Sequence, residues 1–467
     1  MAVKLEGRGP ARGLEKVEPW PPSRGDGCPD PRRVPGSALL VLLAGGIVAA
    51  AVGSVRAPLI ALGLPVAVTL LIVLLRRVDV AAVAVIASTP FDRYLKLYVN
   101  PNAFKAFGVL LLVSFAISRM KASSPQRRQP LSVAVSVFLI LMLAAAIAHP
   151  NGAQGLTTVQ RYLSFGLTCL VLVSVLQRDL APDIAVSAYV YACTAASCFA
   201  LYNFISGGST RASGPVDDPN DLAYMLAAAI PFALWLSARR GRLSHLLFAL
   251  VLALGAAGTL SRGAAIAAVA MLVLAFWRGH IPTRALIGGT VASVLAGLLL
   301  VTLAHDVVQT ALTQKAYIAA YNVDTRALRW HGAILMTEKH PILGVGPSGF
   351  RQNYLSVSDH AEPAEPTPVS HDMYLEVSSE LGLPALAAFI AILGLAWAAA
   401  GRARQLTAGK DSSLASTAQI ALLGVLTASI FLTEQYYLTL WFVLGLSAAL
   451  LGRTQDRDRD ERPVPVP

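Results

Sequence analysis

Three polar side chains stand out in a strongly apolar chain because each could bind or move charge. Arg211 is the only cation in its loop, and Arg262 separates two apolar runs in the sequence Thr259-Leu260-Ser261-Arg262-Gly263-Ala264. His371 opens the segment His371-Asp372-Met373-Tyr374. A guanidinium group binds phosphate through a bidentate fork, and an imidazole can accept a proton near neutral pH. These residue types predict anion binding and general-base chemistry.

Each of these residues also has a structural interpretation. Arg211 could extend its charged group to lipid headgroups, and Arg262 could form an ion pair at membrane depth. A single histidine at the start of a helix usually has a structural role. Anion binding is favoured for Arg262 because the following helix points its N-terminus, with free N–H groups and a partial positive charge, at the same place.

Turn-forming residues follow Arg211 in the sequence. The loop continues Gly214-Pro215-Val216-Asp217-Asp218-Pro219-Asn220-Asp221. Gly, Pro, Asn and Asp supply turn geometry and short bonds from side chain to backbone, and Asp221 could cap the next helix. We therefore expect a turn-and-cap role for the aspartates of this loop.

The long polar segment 305–372 contains several further features. Its middle part, Asp324–Leu335, includes Arg326 and Arg329 and could form a helix along the membrane surface. His340–Phe350 is a turn punctuated by glycines, and its Gly-x-Gly is not a nucleotide fingerprint because no strand precedes it. Glu380 lies more than two helical turns beyond His371.

The composition indicates how these residues must be positioned. Of the 467 residues, 55% are apolar and 14% charged, and the mean hydropathy is +0.59. Soluble domains carry roughly 25% charged residues, so the composition excludes an ordinary cytosolic enzyme, and it also excludes a disordered chain. Because a membrane-spanning helix needs about 20 apolar residues, the runs predict an all-α polytopic membrane protein with about 12–14 spans and one large extracytoplasmic loop.

The apolar runs and the positive charges predict the topology. If each successive apolar run crosses the membrane, most of the 38 Lys and Arg residues fall on the same side as the N-terminus. Because cytoplasmic loops are enriched in Lys and Arg, this pattern places both termini in the cytoplasm. The expected divisions are a disordered cytoplasmic tail (1–35), an N-terminal transmembrane bundle (36–304), an extracytoplasmic catalytic loop (305–382), C-terminal transmembrane helices (383–452) and a second cytoplasmic tail (453–467). We expect a multi-pass protein of the cell (inner) membrane with an extracytoplasmic active site.

Cysteine usage and charge exclude other classes of site. The four cysteines form no Cys-x-x-Cys or Cys/His spacing, so neither a disulfide framework nor a zinc site is predicted. The net charge of +11 is not arranged as a basic groove with interleaved aromatic residues, so nucleic acid is not an expected partner. No cofactor is predicted.

Four blocks together resemble the O-antigen ligase and polymerase family of membrane glycosyltransferases, which includes bacterial O-oligosaccharyltransferases. The blocks are Arg211–Ala223, Ser261-Arg262-Gly263, His340–Phe350 and His371–Gly382, within roughly residues 205–385. The family usually has Asn where this chain has Asp372, although an Asp could hold the imidazole of His371 at least as well as an Asn. The preceding apolar runs match only in hydropathy.

The resemblance implies a reaction and a set of roles. The donor would be a glycan on a polyprenyl-diphosphate carrier, and the acceptor a hydroxyl group of another glycan or lipid. Arg211 and Arg262 would bind the diphosphate without a metal, with Arg326 or Arg329 assisting, and His371 would be the general base. Glu380 would either orient His371 or form a structural hydrogen bond. The expected substrate-binding residues are Arg326, Arg329, Asp218, Asn220 and Glu380.

Other functions remain open at this stage. A ligase uses a different acceptor molecule, whereas a polymerase joins two lipid-linked repeat units, and the sequence does not separate them. A transporter or flippase for an anionic lipid or small anion would also use arginines, but transporters usually show paired repeats and interrupted helices at the middle of the membrane. A purely structural role for the chain would not explain the presence of the Arg and His residues.

Overall fold

The computed structural model describes residues 58–100, 102–120, 129–207, 209–279, 298, 302, 305–362, 368–407 and 410–460. Every regular element within these ranges is helical. Six of these helices are long and apolar enough to cross a membrane, which confirms the predicted all-α membrane class. The predicted tail at 1–35, the first apolar run and most of the run 285–304 lie outside the described residues.

The chain forms two compact units, Met1–Leu71 and Ile72–Pro467, and the first described helix begins in the first unit. In the first half of the chain the helices, in chain order, are α1 (Pro58–Arg76), α2 (Val78–Ser88), α3 (Ala103–Met120), α4 (Pro130–Ala148), α5 (Gly152–Arg178), α6 (Pro182–Ile205) and α7 (Pro219–Arg240). The second half contains α8 (Leu243–Gly258), α9 (Arg262–Trp277), α10 (His305–Lys339), α11 (Gly349–Val357), α12 (Met373–Leu406), α13 (Lys410–Ala428) and α14 (Leu438–Asp460).

Two helices begin well before the apolar runs that predicted them. Helix α5 begins at Gly152, although the apolar run begins at residue 162, and α12 begins at Met373 rather than at residue 383. Both extensions are polar, so a hydropathy pattern does not detect them. The predicted boundary between the catalytic loop and the C-terminal helices therefore falls inside α12.

Aromatic side chains fill the centre of the second unit. Phe138 of α4, Phe389 of α12 and Trp441 of α14 are fully buried. The ring centroid of Phe138 lies 5.3 Å from that of Phe389 and 6.5 Å from that of Trp441. Apolar residues such as Ile140 and Val269 instead face outward, as expected of helices that contact lipid. The centre of this unit thus supports the helices whose ends carry the polar residues.

Helix α12 is kinked at Gly382, and the turn formed by 341–346 fills the break. Gly382 has a φ of 85° inside the helix. The Leu383 N–H donates to the Pro341 carbonyl at 2.7 Å, and the Gly346 N–H donates to the Glu380 carbonyl at 2.9 Å. A Cβ atom on Gly382 would lie 2.3 Å from the Ile342 carbonyl oxygen. The backbone of the glycine-punctuated turn predicted from the sequence therefore packs against the kink of α12.

Replacing Gly382 by alanine should destabilise the protein. The backbone of Gly382, with φ 85° and ψ 171°, lies in a region that essentially only glycine adopts, so an L-residue there costs about 1–3 kcal/mol. The close approach of Ile342 adds to that cost. The matched control is Gly394→Ala in the same helix, where an added Cβ meets nothing within 4 Å. We expect a lower thermal unfolding midpoint in detergent for Gly382→Ala and an unchanged or higher one for Gly394→Ala, measured by tryptophan fluorescence. Equal midpoints would contradict the packing role.

Candidate functional site

A cavity of about 410 Å³ lies where α3, α7, α12 and α14 begin. Helix N-termini carry partial positive charge and free N–H groups, which favour anions. His371 lines the cavity together with residues of both charges. The acidic ones are Asp92, Asp217, Asp218, Asp221 and Glu376, and the basic ones are Lys96, Lys105, Arg161 and Arg351.

His371 is half-buried, and its backbone is held from both sides. Its φ of 52° lies in the left-handed region, which His adopts more readily than most residues. The buried Ser370 donates its hydroxyl to Glu376 Oε2 at 3.0 Å. On the other side, Asp372 Oδ1 accepts the Leu375 N–H at 2.9 Å. The histidine is therefore presented to the cavity from a fixed turn.

Asp372 is the N-cap of α12, so this oxygen serves the helix rather than holding an imidazole. Burial raises the pKa of this carboxyl to about 6, and hydrogen bonds from the backbone N–H groups of Leu375 and Tyr374 oppose the shift. Asn and Asp are comparable N-caps. The departure of this chain from the family's usual Asn therefore preserves the helix start.

Glu380 is buried and contacts the first turn of α11. One carboxylate oxygen lies 3.4 Å from the Phe350 N–H, and the other lies 3.4 Å from the Tyr436 hydroxyl. Of the two roles left open by the sequence, this geometry corresponds to the structural hydrogen bond. Glu380 also lines a smaller cleft of about 120 Å³ beside the main cavity.

Arg211 joins the loop before α7 to the turn between α8 and α9. Its Nε donates to the Thr259 carbonyl at 2.7 Å, and its Nη2 donates to Asn220 Oδ1 at 2.8 Å. Asn220 in turn donates its backbone N–H to Asp218 Oδ1 at 2.7 Å. Asp218 is thus the N-cap of α7, and the expectation that Asp221 caps this helix is wrong. The Asp221 carboxylate instead accepts a hydrogen bond from the Tyr437 hydroxyl.

Arg262 and Arg326 place two positive charges in electrostatic range of each other. Arg262 is exposed at the first position of α9, after the N-cap Ser261. Arg326 is half-buried on α10, and its burial and the positive charge of Arg262 lower its pKa, while Asp218 acts in the opposite direction. Two neighbouring guanidinium groups repel each other unless an anion lies between them. This pair is therefore suited to a ligand with more than one negative charge.

Arg329 is placed differently from the other predicted arginines. It is buried and forms an ion pair with Glu362, with Nη2 2.9 Å from Oε1 and Nε 3.0 Å from Oε2. The fork of its guanidinium group is thus already matched by a carboxylate. It lies one helical turn from Arg326 on α10.

The segments that carry Arg211, Arg262 and His371 meet at one end of the bundle. Asp218, which holds Asn220 against Arg211, shares the cavity with His371. A Cβ atom on Gly263 would lie 3.2 Å from Phe431. Two residues before Phe431, the Ser429 carbonyl accepts the Met373 N–H at 3.0 Å. The loop after α13 therefore contacts both the start of α9 and the start of α12.

Sequence reasoning missed all four basic residues of the cavity, Lys96, Lys105, Arg161 and Arg351. Arg161 lies on the polar beginning of α5, with its guanidinium carbon 5.8 Å from the centre of the Tyr436 ring. Arg351 lies on α11, and both arginines line the main cavity and the smaller cleft. Arg351 directly follows the glycine-punctuated block His340–Phe350, and this position in the sequence could have indicated a place in the site. Arg161 gave no signal because it lies just before an apolar run.

Residues 246–390 match the O-antigen ligase family model. The matched region contains Arg262, the glycine-punctuated turn and the segment of His371, and it ends within α12. This match confirms the resemblance to an O-antigen ligase-like family and supports a membrane glycosyltransferase of the ligase or polymerase type. No curated protein matches the chain.

Proposed function

We propose that the chain transfers a glycan from a polyprenyl-diphosphate carrier to an acceptor hydroxyl. The observation that carries the proposal is a cavity lined by His371 and Asp218, with Arg326 in electrostatic range of both Asp218 and Arg262. The acceptor oxygen attacks the anomeric carbon, the bond from that carbon to the diphosphate oxygen breaks, and the leaving diphosphate keeps the electron pair. His371 takes the proton of the acceptor hydroxyl.

The arginines would stabilise the charge that develops on the leaving diphosphate. Arg262 and Arg326 supply two guanidinium groups in electrostatic range of each other, and preorganised donors aimed at developing charge are usually a large catalytic contribution. Two nitrogens of Arg211 donate to Thr259 and Asn220, and its third nitrogen would donate to the same diphosphate. Arg329 would support this site through its neighbours, because its guanidinium group is bound to Glu362. The reaction would need no metal.

The polar groups around His371 would bind the sugar rings. Asp218 lines the cavity and would accept hydrogen bonds from sugar hydroxyls, with Asn220 holding it in place. The adjoining cleft is lined by hydroxyl, carboxylate and guanidinium groups, among them Thr157, Glu376 and Arg351. The mixture of hydrogen-bond donors and acceptors suits a glycan. We place this site on the extracytoplasmic side and both termini in the cytoplasm, as the charge pattern predicts.

A transfer assay with purified protein tests the proposal. The protein in detergent is incubated with a labelled polyprenyl-diphosphate-linked glycan, with and without a separate hydroxyl acceptor, in buffer containing EDTA. We expect a labelled product and free polyprenyl diphosphate. Transfer to the separate acceptor would identify a ligase, and lengthening of the lipid-linked glycan would identify a polymerase. Movement of the intact donor across a vesicle membrane without transfer would overturn the proposal in favour of a transporter.

A further inference from the structure

A second pair of arginines lines the cleft beside the main cavity, and the proposed reaction does not use their charge. Arg161 comes from the polar beginning of α5, and Arg351 comes from the first turn of α11. Both also line the main cavity, together with His371. The cleft, of about 120 Å³, is less than a third of the size of the main cavity, of about 410 Å³. It therefore suits a substituent of a sugar rather than a whole glycan.

Two buried carboxylates also line the cleft, and all four of their oxygens accept hydrogen bonds. Glu376 accepts from the Ser370 hydroxyl at 3.0 Å and from Gln435 Nε2 at 3.4 Å. The oxygens of Glu380 accept from the first turn of α11 and from the loop before α14. These bonds supply the partners that buried carboxylates need. Both carboxylates are thus bound by the protein, and they offset the positive charge of the cleft only through space.

The two guanidinium groups form no hydrogen bond or ion pair with any residue that the structure describes. The guanidinium carbon of Arg161 lies 5.8 Å from the centre of the Tyr436 ring. This cation–π contact holds the group beside the cleft and leaves its N–H donors unused. An arginine has five N–H donors in a fork that matches a carboxylate or a phosphate. The unused donors of the cleft therefore belong to its cations, and an anion would use them.

The cleft is connected to His371 through the preceding residue. Ser370 donates both its backbone N–H, at 3.3 Å, and its hydroxyl, at 3.0 Å, to Glu376 Oε2. Glu376 lines both the cleft and the main cavity. The lining of the cleft includes none of the arginines assigned to the diphosphate. A sugar whose hydroxyl meets His371 would thus reach the cleft with a neighbouring substituent, apart from the arginines that bind the leaving group.

We propose that Arg161 and Arg351 form a subsite for a negatively charged substituent of the acceptor sugar, a carboxylate or a phosphate. The subsite selects an acidic acceptor over its neutral counterpart and holds the sugar ring while its hydroxyl faces His371. This inference rests on the proposed function, in which His371 takes the proton of the acceptor. It adds the chemical class of the acceptor, which the family does not specify.

Chemical protection tests the subsite without turnover. Phenylglyoxal modifies accessible guanidinium groups, and mass spectrometry of the digested protein gives the rate at each arginine. At a concentration of methyl glucuronide about four times its Kd, modification of Arg161 and Arg351 should slow about fivefold. Neutral methyl glucoside at the same concentration should leave both rates unchanged. Arg178, exposed in the last turn of α5, is the matched control and should react at one rate throughout.

Two further probes separate the sources of the anion. A glucose phosphate in place of the glucuronide shows which of the two acidic groups the subsite prefers, and protection by either one supports the inference. Equal protection by neutral methyl glucoside would indicate a sugar site that does not recognise charge. Protection by inorganic pyrophosphate alone would assign these arginines to the leaving group. Either result would overturn the inference, and so would absence of protection by both acidic sugars.

The variants Arg161→Gln and Arg351→Gln test the selection during transfer. With an acidic acceptor, each should raise KM about tenfold and leave kcat nearly unchanged, because a binding contact is lost and the base is kept. Transfer to the neutral counterpart should be the same as in the wild-type protein, and Arg178→Gln should change neither reaction. Thermal unfolding midpoints show that the variants are folded.

A fall in kcat for acidic and neutral acceptors alike, in folded variants, would contradict selection by these arginines. The conservative variant Arg351→Lys keeps the charge without the fork, so it should retain part of the preference for the acidic acceptor. Absence of transfer by the wild-type protein would count against the proposed function. Protection of Arg161 and Arg351 by an acidic sugar would then still support the subsite.

Discussion

Replacing His371 should abolish most of the transfer activity. General-base catalysis is typically worth about 10²–10⁴-fold, so the turnover should fall by that factor while the donor still binds. The backbone decides which variant to use, because His371 has a φ of 52°. Asn tolerates this conformation, whereas Ala there costs about 1–2 kcal/mol. His371→Asn therefore removes the base with little backbone strain. His371→Ala shows the combined effect of losing the base and straining the backbone.

The control for this experiment is His331→Ala, at an exposed position on α10. It should leave turnover and the thermal midpoint unchanged. Added imidazole should partly restore transfer by His371→Ala, because a soluble base can occupy the space that the side chain leaves. Full transfer by folded His371→Asn would show that another group takes the acceptor's proton, and the base assignment would be wrong.

The fold class could be predicted from hydropathy alone, because every spanning helix must bury its own backbone polar groups and needs a long apolar run. The same rule explains the errors at α5 and α12. Their first turns are polar and face a cavity, and Arg161 and Glu376 lie on them. The apolar run covers only the later part of such a helix and omits the polar turns before it, which line the cavity. The missed turns are therefore those that build the candidate site.

The partners of the polar residues could not be predicted, because they come from distant parts of the chain. The family resemblance implied that Arg329 assists in phosphate binding, but its partner Glu362 becomes visible only when α10 and the segment after α11 are placed together. Glu380 likewise contacts Phe350 rather than its neighbours in sequence. Single-residue chemistry thus indicated anion binding and a base, whereas the assignment of each carboxylate needed the tertiary structure.

Substituting lysine for Arg262 should lower turnover although the charge is kept. A guanidinium group offers two parallel donors to a diphosphate, whereas an ammonium group is a compact point charge. Removal of a donor that stabilises developing charge costs about 10²–10³-fold, so we expect that loss for Arg262→Ala and about a tenfold loss for Arg262→Lys. The measurement is kcat with a saturating lipid-linked donor, together with inhibition by free polyprenyl diphosphate.

Arg278→Lys is the matched control, because Arg278 lies at the opposite end of α9. It donates to Ser416 at 3.4 Å and lies over the ring of Trp397, far from the start of the helix. This variant should keep wild-type turnover and wild-type inhibition by polyprenyl diphosphate. Equal turnover of Arg262→Lys and the wild-type protein would mean that Arg262 acts only as a charge. In that case the fork that the diphosphate requires would have to come from Arg326, because two nitrogens of Arg211 already donate to Thr259 and Asn220. The same substitution at Arg326 would then carry the larger loss.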